Sequence, residues 1–219
     1  MKVLQILPQL NIGGVERGTL DLSKALIQKG HESFVISGGG ILVDELIQSG
    51  AKHYEIPVHI KSLRTLSLAK NLSKTISSID PDIVHVRSRM PAWVNFRAFK
   101  MLQKKPLLIS TFHGLYSFPI YSKVMSFVDH SIAISKTVEK YILENYKLDK
   151  NHITVIPRGC DPIEFNNDPI NPDDKANIIN EFPQIVGKKV LTIPGRITKW
   201  KGVAEFIELL SLLDDNYHG

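Results

Sequence analysis

The sequence predicts an α/β fold built on a doubly wound parallel sheet. Short runs rich in Val and Ile alternate with longer segments of helical periodicity along most of the chain. Helical segments are closed by Gly30, by Gly50 and by the pair Asp80-Pro81. The chain of 219 residues is also long enough to bury a hydrophobic core.

The first part of the chain carries most of this alternation. Strands are predicted at residues 3–7, 33–37, 53–56, 83–86, 107–111, 131–134 and 154–156. Helices are predicted between them at residues 15–29, 42–48, 66–79, 92–103 and 136–145. Ser135 precedes the last of these helices and is predicted to be its N-cap. We therefore expect a first domain at residues 1–165.

The composition changes after this domain. Residues 161–174 read DPIEFNNDPINPDD, which is rich in Asp, Asn and Pro and predicts a linker. A helix near 175–182 is expected to complete a connection over residues 166–186. An apolar strand at 190–193 and an amphipathic helix after it predict the first βα unit of a second domain at 187–219. Since this unit has no later sequence to pack on, we expect the chain to be truncated within that domain.

Charge and composition indicate which kinds of molecule the protein could bind and in which cell compartment it would work. The net charge of +5 favours anionic partners, although solubility alone also explains it. No aromatic-and-basic RNA motif, zinc-ligand spacing or helix-turn-helix pattern is present, which argues against nucleic acid. The single cysteine, Cys160, is typical of a reducing compartment, and no run of about 20 apolar residues occurs. A cytoplasmic protein is predicted, with a peripheral contact to the inner face of the cell membrane left open.

Two candidate site loops follow the first and fourth strands. Ligands of a doubly wound sheet bind at the carboxyl ends of its strands. Gly13 and Gly14 lie between a strand and a helix, where backbone N–H groups and the positive helix end can face an anion or a sugar. A tight structural turn is the alternative explanation for this pair. Arg87 ends the strand DIVHV, where an arginine favours phosphate or carboxylate binding, while His85 within that strand is expected to be a core residue.

Two further loops carry chemistry of the same kind. An apolar strand delivers His113 to the carboxyl edge, where an imidazole can bond a hydroxyl or a leaving phosphate. The loop IPGRITKWKG brings Arg196 and Lys201 beside a helix start, which suits a diphosphate, a basic solvated loop being the alternative. The Asp80-Pro81-Asp82 motif resembles a divalent-metal motif, but it precedes its strand and is interpreted as a turn.

Six segments in order resemble the retaining glycosyltransferases of the two-domain GT-B fold, the group called group 1 or family 4. They are LPQLNIGGVERGTLDLSKAL, PDIVHVRS, STFHG, DHSIAIS, ITVIPRGCDPIEF and GRITKWKG. The resemblance implies two Rossmann-like domains, with a nucleotide-diphosphate sugar as co-substrate and neither cofactor nor metal. The family's paired glutamates, seven residues apart in the C-terminal domain, have no counterpart here, and Arg87 stands where the family often has a second His.

The resemblance also implies roles for single residues. His113 would act at the transferred sugar as the catalytic residue. The donor diphosphate would be held by Arg196, Lys201, Gly13 and Gly14. The acceptor side would be shaped by Glu16, Arg17 and Arg87.

The implied function is transfer of a sugar, with retention, to a glycan or lipid-linked acceptor in cell-envelope polysaccharide or lipopolysaccharide synthesis. Because the βα unit of the second domain is unpaired and the glutamates are missing, we expect the chain as given to be inactive or incomplete. The alternatives are a non-catalytic remnant that binds a glycan or a partner chain, and one half of a split transferase. A sugar-nucleotide epimerase finds no clear match for its acid and base residues.

Overall fold

A computed structural model describes residues 1–60, 67–116, 119–162, 165–166, 168–195 and 197–219. The chain divides into two compact units, Met1–Gly159 and Cys160–Gly219. The end of the first domain predicted from the sequence lies six residues later, at 165, and that boundary stays a prediction.

The first unit is a seven-stranded parallel sheet with helices between its strands. Its strands are β1 (Lys2–Ile6), β2 (Glu32–Ser37), β3 (Lys52–Glu55), β4 (Ile83–Val86), β5 (Leu107–Phe112), β6 (His130–Ala133) and β7 (Ile153–Val155). Its helices are α1 (Gly14–Gln28), α2 (Val43–Gln48), α3 (Ala69–Ile79), α4 (Arg89–Phe99), α5 (Pro119–Ser122) and α6 (Lys136–Tyr146). The strand order is β3-β2-β1-β4-β5-β6-β7, and every pairing is parallel. The predicted fold class is confirmed.

Two hydrophobic clusters cover the two faces of this sheet. Leu4 and Ile6 of β1 belong to the larger cluster, together with apolar residues of α3, α4 and α6. Val35 of β2 belongs to the smaller cluster, with Leu20 of α1 and Leu46 of α2. Because successive side chains of a strand point to opposite faces, these clusters lie on opposite sides of the sheet. The winding therefore reverses between β1 and β4.

Local boundaries differ from the predicted ones where proline and short helices are involved. α4 begins at Arg89, three residues before its predicted start, because Pro91 fits within a first helical turn. α5 and the 3₁₀ turn Lys123–Ser126 were not predicted, being too short to show periodicity. Ser135 caps α6 as predicted, its hydroxyl accepting the Val138 N–H at 3.2 Å.

The Asp-x-Asp motif serves structural contacts. Asp80 ends α3 in a left-handed conformation with φ 48° and bonds Lys104 Nζ at 2.8 Å. Asp82 Oδ2 accepts the backbone N–H of Lys2 at 2.7 Å, which fixes the start of β1 against the start of β4. Both carboxylates lie at the amino ends of the strands, opposite the predicted site.

The second unit is a small βαβ arrangement preceded by a helix. It contains α7 (Pro172–Glu181), β8 (Lys189–Val190), α8 (Val203–Ser211) and β9 (Tyr217–His218), and β8 pairs with β9 in parallel. The strand predicted at 190–193 is reduced to Lys189–Val190, and β9 was not predicted. Neither α7 nor α8 buries a residue, and Val190 is 49% exposed, so the buried strand expected here is wrong for this structure.

Candidate functional site at the carboxyl ends of β1 and β4

The reversal between β1 and β4 places a crevice at their carboxyl ends. Neighbouring strands whose following helices lie on opposite faces leave such an opening, and ligands of doubly wound sheets bind there. Gly13 and Gly14 lead into α1 on one side of it, and Arg87 directly follows β4 on the other. His113 follows β5, the next strand along. These four predicted residues therefore lie at one edge of the sheet.

The side chain of Glu16, which belongs to α1 itself, lies close to the first glycine of the pair. Gly13 is the N-cap of α1 in extended backbone, and a Cβ there would meet the Glu16 carboxylate, with Cδ at 3.0 Å. Glu16 thus places a negative charge at the positive end of α1. Arg17 points elsewhere, bonding Asp21 at 3.3 Å and Glu45 of α2 at 3.4 Å.

Arg87 is a buried cation held by neutral acceptors. Its side chain is 6% exposed, and Nη1 donates to Gln5 Oε1 at 2.7 Å and to the Gly18 carbonyl at 3.3 Å. Nε is buried without a hydrogen-bond partner. Burial lowers the pKa of Arg87 to about 10, with Arg158 adding to the effect, so the group stays protonated near neutral pH.

A polar residue of β1 orients this arginine. Gln5 is fully buried, and its Nε2 donates to the Thr19 carbonyl at 3.1 Å and to Ser23 Oγ at 3.0 Å. Both acceptors belong to α1. Because they hold the amide nitrogen of Gln5, the amide oxygen Oε1 faces Arg87 and accepts its hydrogen bond. Gln5 was not predicted as a site residue, although a glutamine within the apolar run VLQIL is itself a signal of a buried polar role.

A second arginine, Arg158, completes the cluster and was also missed. Its Nη2 donates to the carbonyl of Gly14, and a Cβ on Gly18 would lie 2.8 Å from the same atom. β7 lies four strand spacings from β1, roughly 19 Å at about 4.8 Å each, so the segment after β7 runs back across the carboxyl edge. No local pattern in the sequence shows this return.

His113 is a neutral imidazole with unused hydrogen-bonding capacity. Both ring nitrogens are buried without a partner, while its backbone N–H donates to the Tyr116 hydroxyl at 3.4 Å. Burial, then Arg87, then Arg158 lower the pKa of His113 to about 3. His85 is neutral too, since burial and then Arg87 lower its pKa, but its Nε2 pairs with Thr111 Oγ1 at 2.7 Å. His85 is therefore a satisfied core residue, as predicted, and His113 is not satisfied.

The residues predicted in the second unit are only partly described. Arg196 lies outside the described residues. Lys201 is exposed, on the 3₁₀ turn Lys199–Lys201, where its N–H donates to the Thr198 carbonyl at 3.0 Å. Gly202 follows in a left-handed conformation with φ 75° and starts α8. The turn thus presents lysines directly before a helix N-terminus.

Surface depressions also occur away from this edge. Two of about 380 and 590 Å³ open at the amino ends of β4 and β5, the first beside Asp80 and Lys104, the second beside Leu107 and Phe127. In the first of them Asp80 and Lys104 pair with each other, whereas the carboxyl edge holds buried polar atoms without partners. We therefore place the candidate site at the carboxyl edge. Within the described ranges, no three His, Cys, Asp or Glu residues gather as metal ligands would.

Together the first unit presents two guanidinium groups, a neutral imidazole and one carboxylate around the crevice. Guanidinium groups bind phosphate, and an imidazole bonds hydroxyl groups. The fold and this crevice define a Rossmann-like domain whose polar groups suit a phosphorylated or hydroxylated ligand. The family model for Glycosyltransferase Family 4 matches residues 12–164, which include the site residues of the first unit that follow β1. The chain belongs to glycosyltransferase family 4.

Three comparisons show how far the similarity extends. A glycosyltransferase from Rickettsia africae has 35% identity and a TM-score of 0.80, over 97% of this chain and 57% of that one. Anabaena HepE, solved with UDP and glucose, has 17% identity and the same TM-score, over 99% of this chain and 59% of that one, which shows the fold alone. One subunit of the human phosphatidylinositol N-acetylglucosaminyltransferase is 25% identical over 77% of this chain and 38% of its own length.

The chain spans 38% of the human relative and 57% of the Rickettsia structure. The structural matches confirm the predicted GT-B architecture. In the part of the chain that the structure describes, no helix combines the length and the apolarity that crossing a bilayer requires.

Proposed function

We propose that the protein transfers a sugar, with retention, from a nucleotide-diphosphate sugar to a glycan or lipid-linked acceptor in cell-envelope polysaccharide or lipopolysaccharide synthesis. Residues 1–165 would form the acceptor-side domain, and residues 187–219 would belong to the nucleotide-sugar domain. The nucleotide-sugar is the co-substrate, and no other cofactor is invoked. Work at the cytoplasmic side of the membrane is part of the same proposal.

Family membership supports the reaction class, and the relatives support the type of donor. The human relative is named for N-acetylglucosaminyl transfer and phosphatidylinositol, and HepE was solved with UDP and glucose.

The observation that carries the proposal is the state of His113. Its two ring nitrogens are buried and unpaired, at the edge of the sheet where ligands of this fold bind. A buried polar atom left without a partner costs about 1–3 kcal/mol, which a hydroxyl group of a bound sugar would recover. The site is therefore arranged for a hydroxylated ligand.

The neutrality of His113 suits this chemistry. Sugar transfer passes through an oxocarbenium-like transition state, in which positive charge develops on the ring being transferred. An imidazolium beside that ring would oppose the developing charge, whereas a neutral imidazole bonds a ring hydroxyl without that penalty. Charge that accumulates on the departing diphosphate would be stabilised by Arg196 and Lys201, with the glycine pair contributing backbone N–H groups.

The acceptor-side residues divide by their surroundings. Glu16 and Arg87 border the crevice, so both are proposed to contact the acceptor. Arg17 bonds Asp21 and Glu45, so its proposed contribution is to fix α1 against α2 and shape the acceptor side indirectly.

A transfer assay with a panel of nucleotide-sugars and a pool of glycan and lipid-linked acceptors tests the proposal. His113→Ala should lower kcat/KM about 10- to 100-fold, as expected for the loss of one hydrogen bond made in the transition state. His152→Ala is the matched control because His152 is exposed on the turn Lys150–His152, and it should change the rate less than about twofold. Absence of transfer with every donor by a chain extended through the family's paired glutamates, or full activity of His113→Ala in that chain, would contradict the proposal.

A further inference from the structure

The charge of Arg87 is not balanced by any group that contacts it. Among the described residues no carboxylate lies within ion-pair distance, and its two hydrogen-bond acceptors are a neutral amide and a backbone carbonyl. Asp21 and Glu16 act on Arg87 only at longer range, too weakly to offset burial. Keeping a buried cation without a counter-ion is costly. The site is thus short of one negative group.

Arg158 makes this deficit larger. Its guanidinium lies against α1, on the Gly14 carbonyl and over Gly18, while Nη1 of Arg87 reaches the Gly18 carbonyl. Two guanidinium groups therefore meet around one residue of α1. In the described part of the chain neither has a carboxylate partner at ion-pair distance, and like charges so close favour a shared anion. Arg158 is exposed, so an anion can reach it from solvent.

The neighbouring groups do not supply that anion. Both His113 and His85 are neutral, so they contribute hydrogen-bonding groups and no charge. The Glu16 carboxylate lies over Gly13 at the N-terminus of α1 and is not within ion-pair distance of either arginine among the described residues. The cationic surface is therefore the arginine pair itself.

We propose that Arg87 and Arg158 bind a phosphate group carried by the acceptor. A phosphate monoester has a charge of about −1.5 to −2 near neutral pH, which matches two guanidinium groups, and arginine can bond it bidentately. The inference rests on the proposed function, which assigns the donor diphosphate to Arg196 and Lys201 of the second unit. The first unit's two arginines are then available for a second phosphate, and His113 is close enough for its pKa to respond to both.

The substrate class that follows is a phosphorylated acceptor, in which the phosphate anchors the molecule and a nearby hydroxyl receives the sugar. Gln5 acts here as a positioning residue, since it contacts Arg87 and not the crevice. Gly18 allows Arg158 to approach α1, because any side chain there would occupy the space of the guanidinium.

The test measures binding of inorganic phosphate and of glucose 1-phosphate to the whole chain by calorimetry, near pH 8, where phosphate monoesters of pKa about 6 are dianionic. Arg158→Gln should weaken both affinities about tenfold or more, as expected for a lost charge-assisted bond. Arg97→Gln, an exposed arginine on α4, is the matched control and should bind as the wild type does. Arg87→Lys should also weaken binding, because a point charge cannot replace the guanidinium.

UDP titrated into the same variants distinguishes the two phosphate sources. Unchanged UDP affinity in Arg158→Gln, together with weakened phosphate affinity, supports an acceptor site. If phosphate binds wild type and Arg158→Gln equally, if it binds neither, or if Arg158→Gln weakens UDP binding instead, the inference is overturned. Failure of the proposed function looks different: sugar transfer would be absent while Arg158-dependent phosphate binding persisted.

Discussion

His113 shows how burial and neighbouring cations set the chemistry of one residue. The imidazole keeps the electrically neutral form because both burial and two arginines oppose a further positive charge. The same conditions that would suit His113 to its proposed place beside a developing cation make it expensive to protonate. Its function and its contribution to stability are therefore linked.

This link predicts a pH dependence of folding. In the unfolded chain His113 binds a proton below about pH 6.5, while in the folded chain it does so only below about pH 3. Between these values the unfolded state holds more protons, so the free energy of unfolding falls as the pH falls, by up to about 1.4 kcal/mol per unit for this residue. Urea unfolding of the wild type and of His113→Gln at several pH values measures this slope of the free energy of unfolding against pH.

The variant should show a shallower loss of stability on the acid side. His85 also has a lowered pKa and remains in both proteins, so a residual slope is expected. His152→Gln, at an exposed position, should keep the wild-type slope. Identical slopes for wild type and His113→Gln would show that His113 is not kept neutral by the fold.

Residues that directly follow a strand could be placed from the sequence alone. Arg87 and His113 follow apolar strands, and the carboxyl ends of parallel strands share one edge, so their proximity follows from local patterns. Arg158 could not be placed in this way, because its partner Gly14 is 144 residues distant in the sequence and the return path depends on tertiary packing. Whether Gly13 meets a ligand or Glu16 likewise depends on a side-chain conformation.

At the scale of elements, α1 contacts both the buried polar residue of β1 and the two arginines of the candidate site. On one side of the helix, Thr19 and Ser23 accept hydrogen bonds from Gln5. In its first turns, the carbonyl groups of Gly14 and Gly18 accept hydrogen bonds from Arg158 and Arg87. The hydroxyl groups between α1 and the sheet are satisfied among themselves, with Ser33 Oγ donating to Ser23 Oγ at 3.0 Å. Such a satisfied polar contact holds the helix in one register.

Gly18→Ala should separate stability from ligand binding. Alanine is favoured over glycine within a helix by about 1 kcal/mol. Its methyl group would nevertheless lie 2.8 Å from Arg158 Nη2 and 3.1 Å from Cζ, so the flexible arginine must move. We expect a melting temperature equal to or above that of the wild type and an affinity for phosphate reduced about tenfold.

A suitable control for Gly18→Ala is Gly114→Ala, because no atom lies within 4 Å of a Cβ built at Gly114 and the backbone there is not left-handed. Gly114→Ala should leave the affinity for phosphate close to that of the wild type. A lower melting temperature of Gly18→Ala, with phosphate binding intact, would contradict this prediction. It would mean that the new methyl group displaces the helix and leaves Arg158 in place.

At the scale of the whole molecule, the two units differ in how completely they bury their apolar residues. The first unit has two clusters of buried side chains, whereas α7 and α8 bury none, and Ile207 of α8 is 62% exposed. The seven strands were predictable because most of them are local apolar runs between helical segments, whereas their order in the sheet depends on tertiary pairing. The extent of β8 and the existence of β9 were not, since two-residue strands have no readable period.

The segment between the units provides the last prediction. Asp161, Pro162 and Asn166 are exposed, and Phe165 is 65% exposed, within a stretch that has neither helix nor strand at its described positions. Brief chymotrypsin digestion should therefore cut first after Phe165 and leave residues 1–165 as a protected fragment, because cleavage needs an exposed and locally open chain. Mass spectrometry identifies the first cut, and Phe165→Ala should remove that cut without exposing new sites in the seven-stranded sheet. First cuts inside residues 1–159 would contradict the prediction that the first unit is a domain with a core of its own, because they would show its strands opening more readily than the segment that follows them.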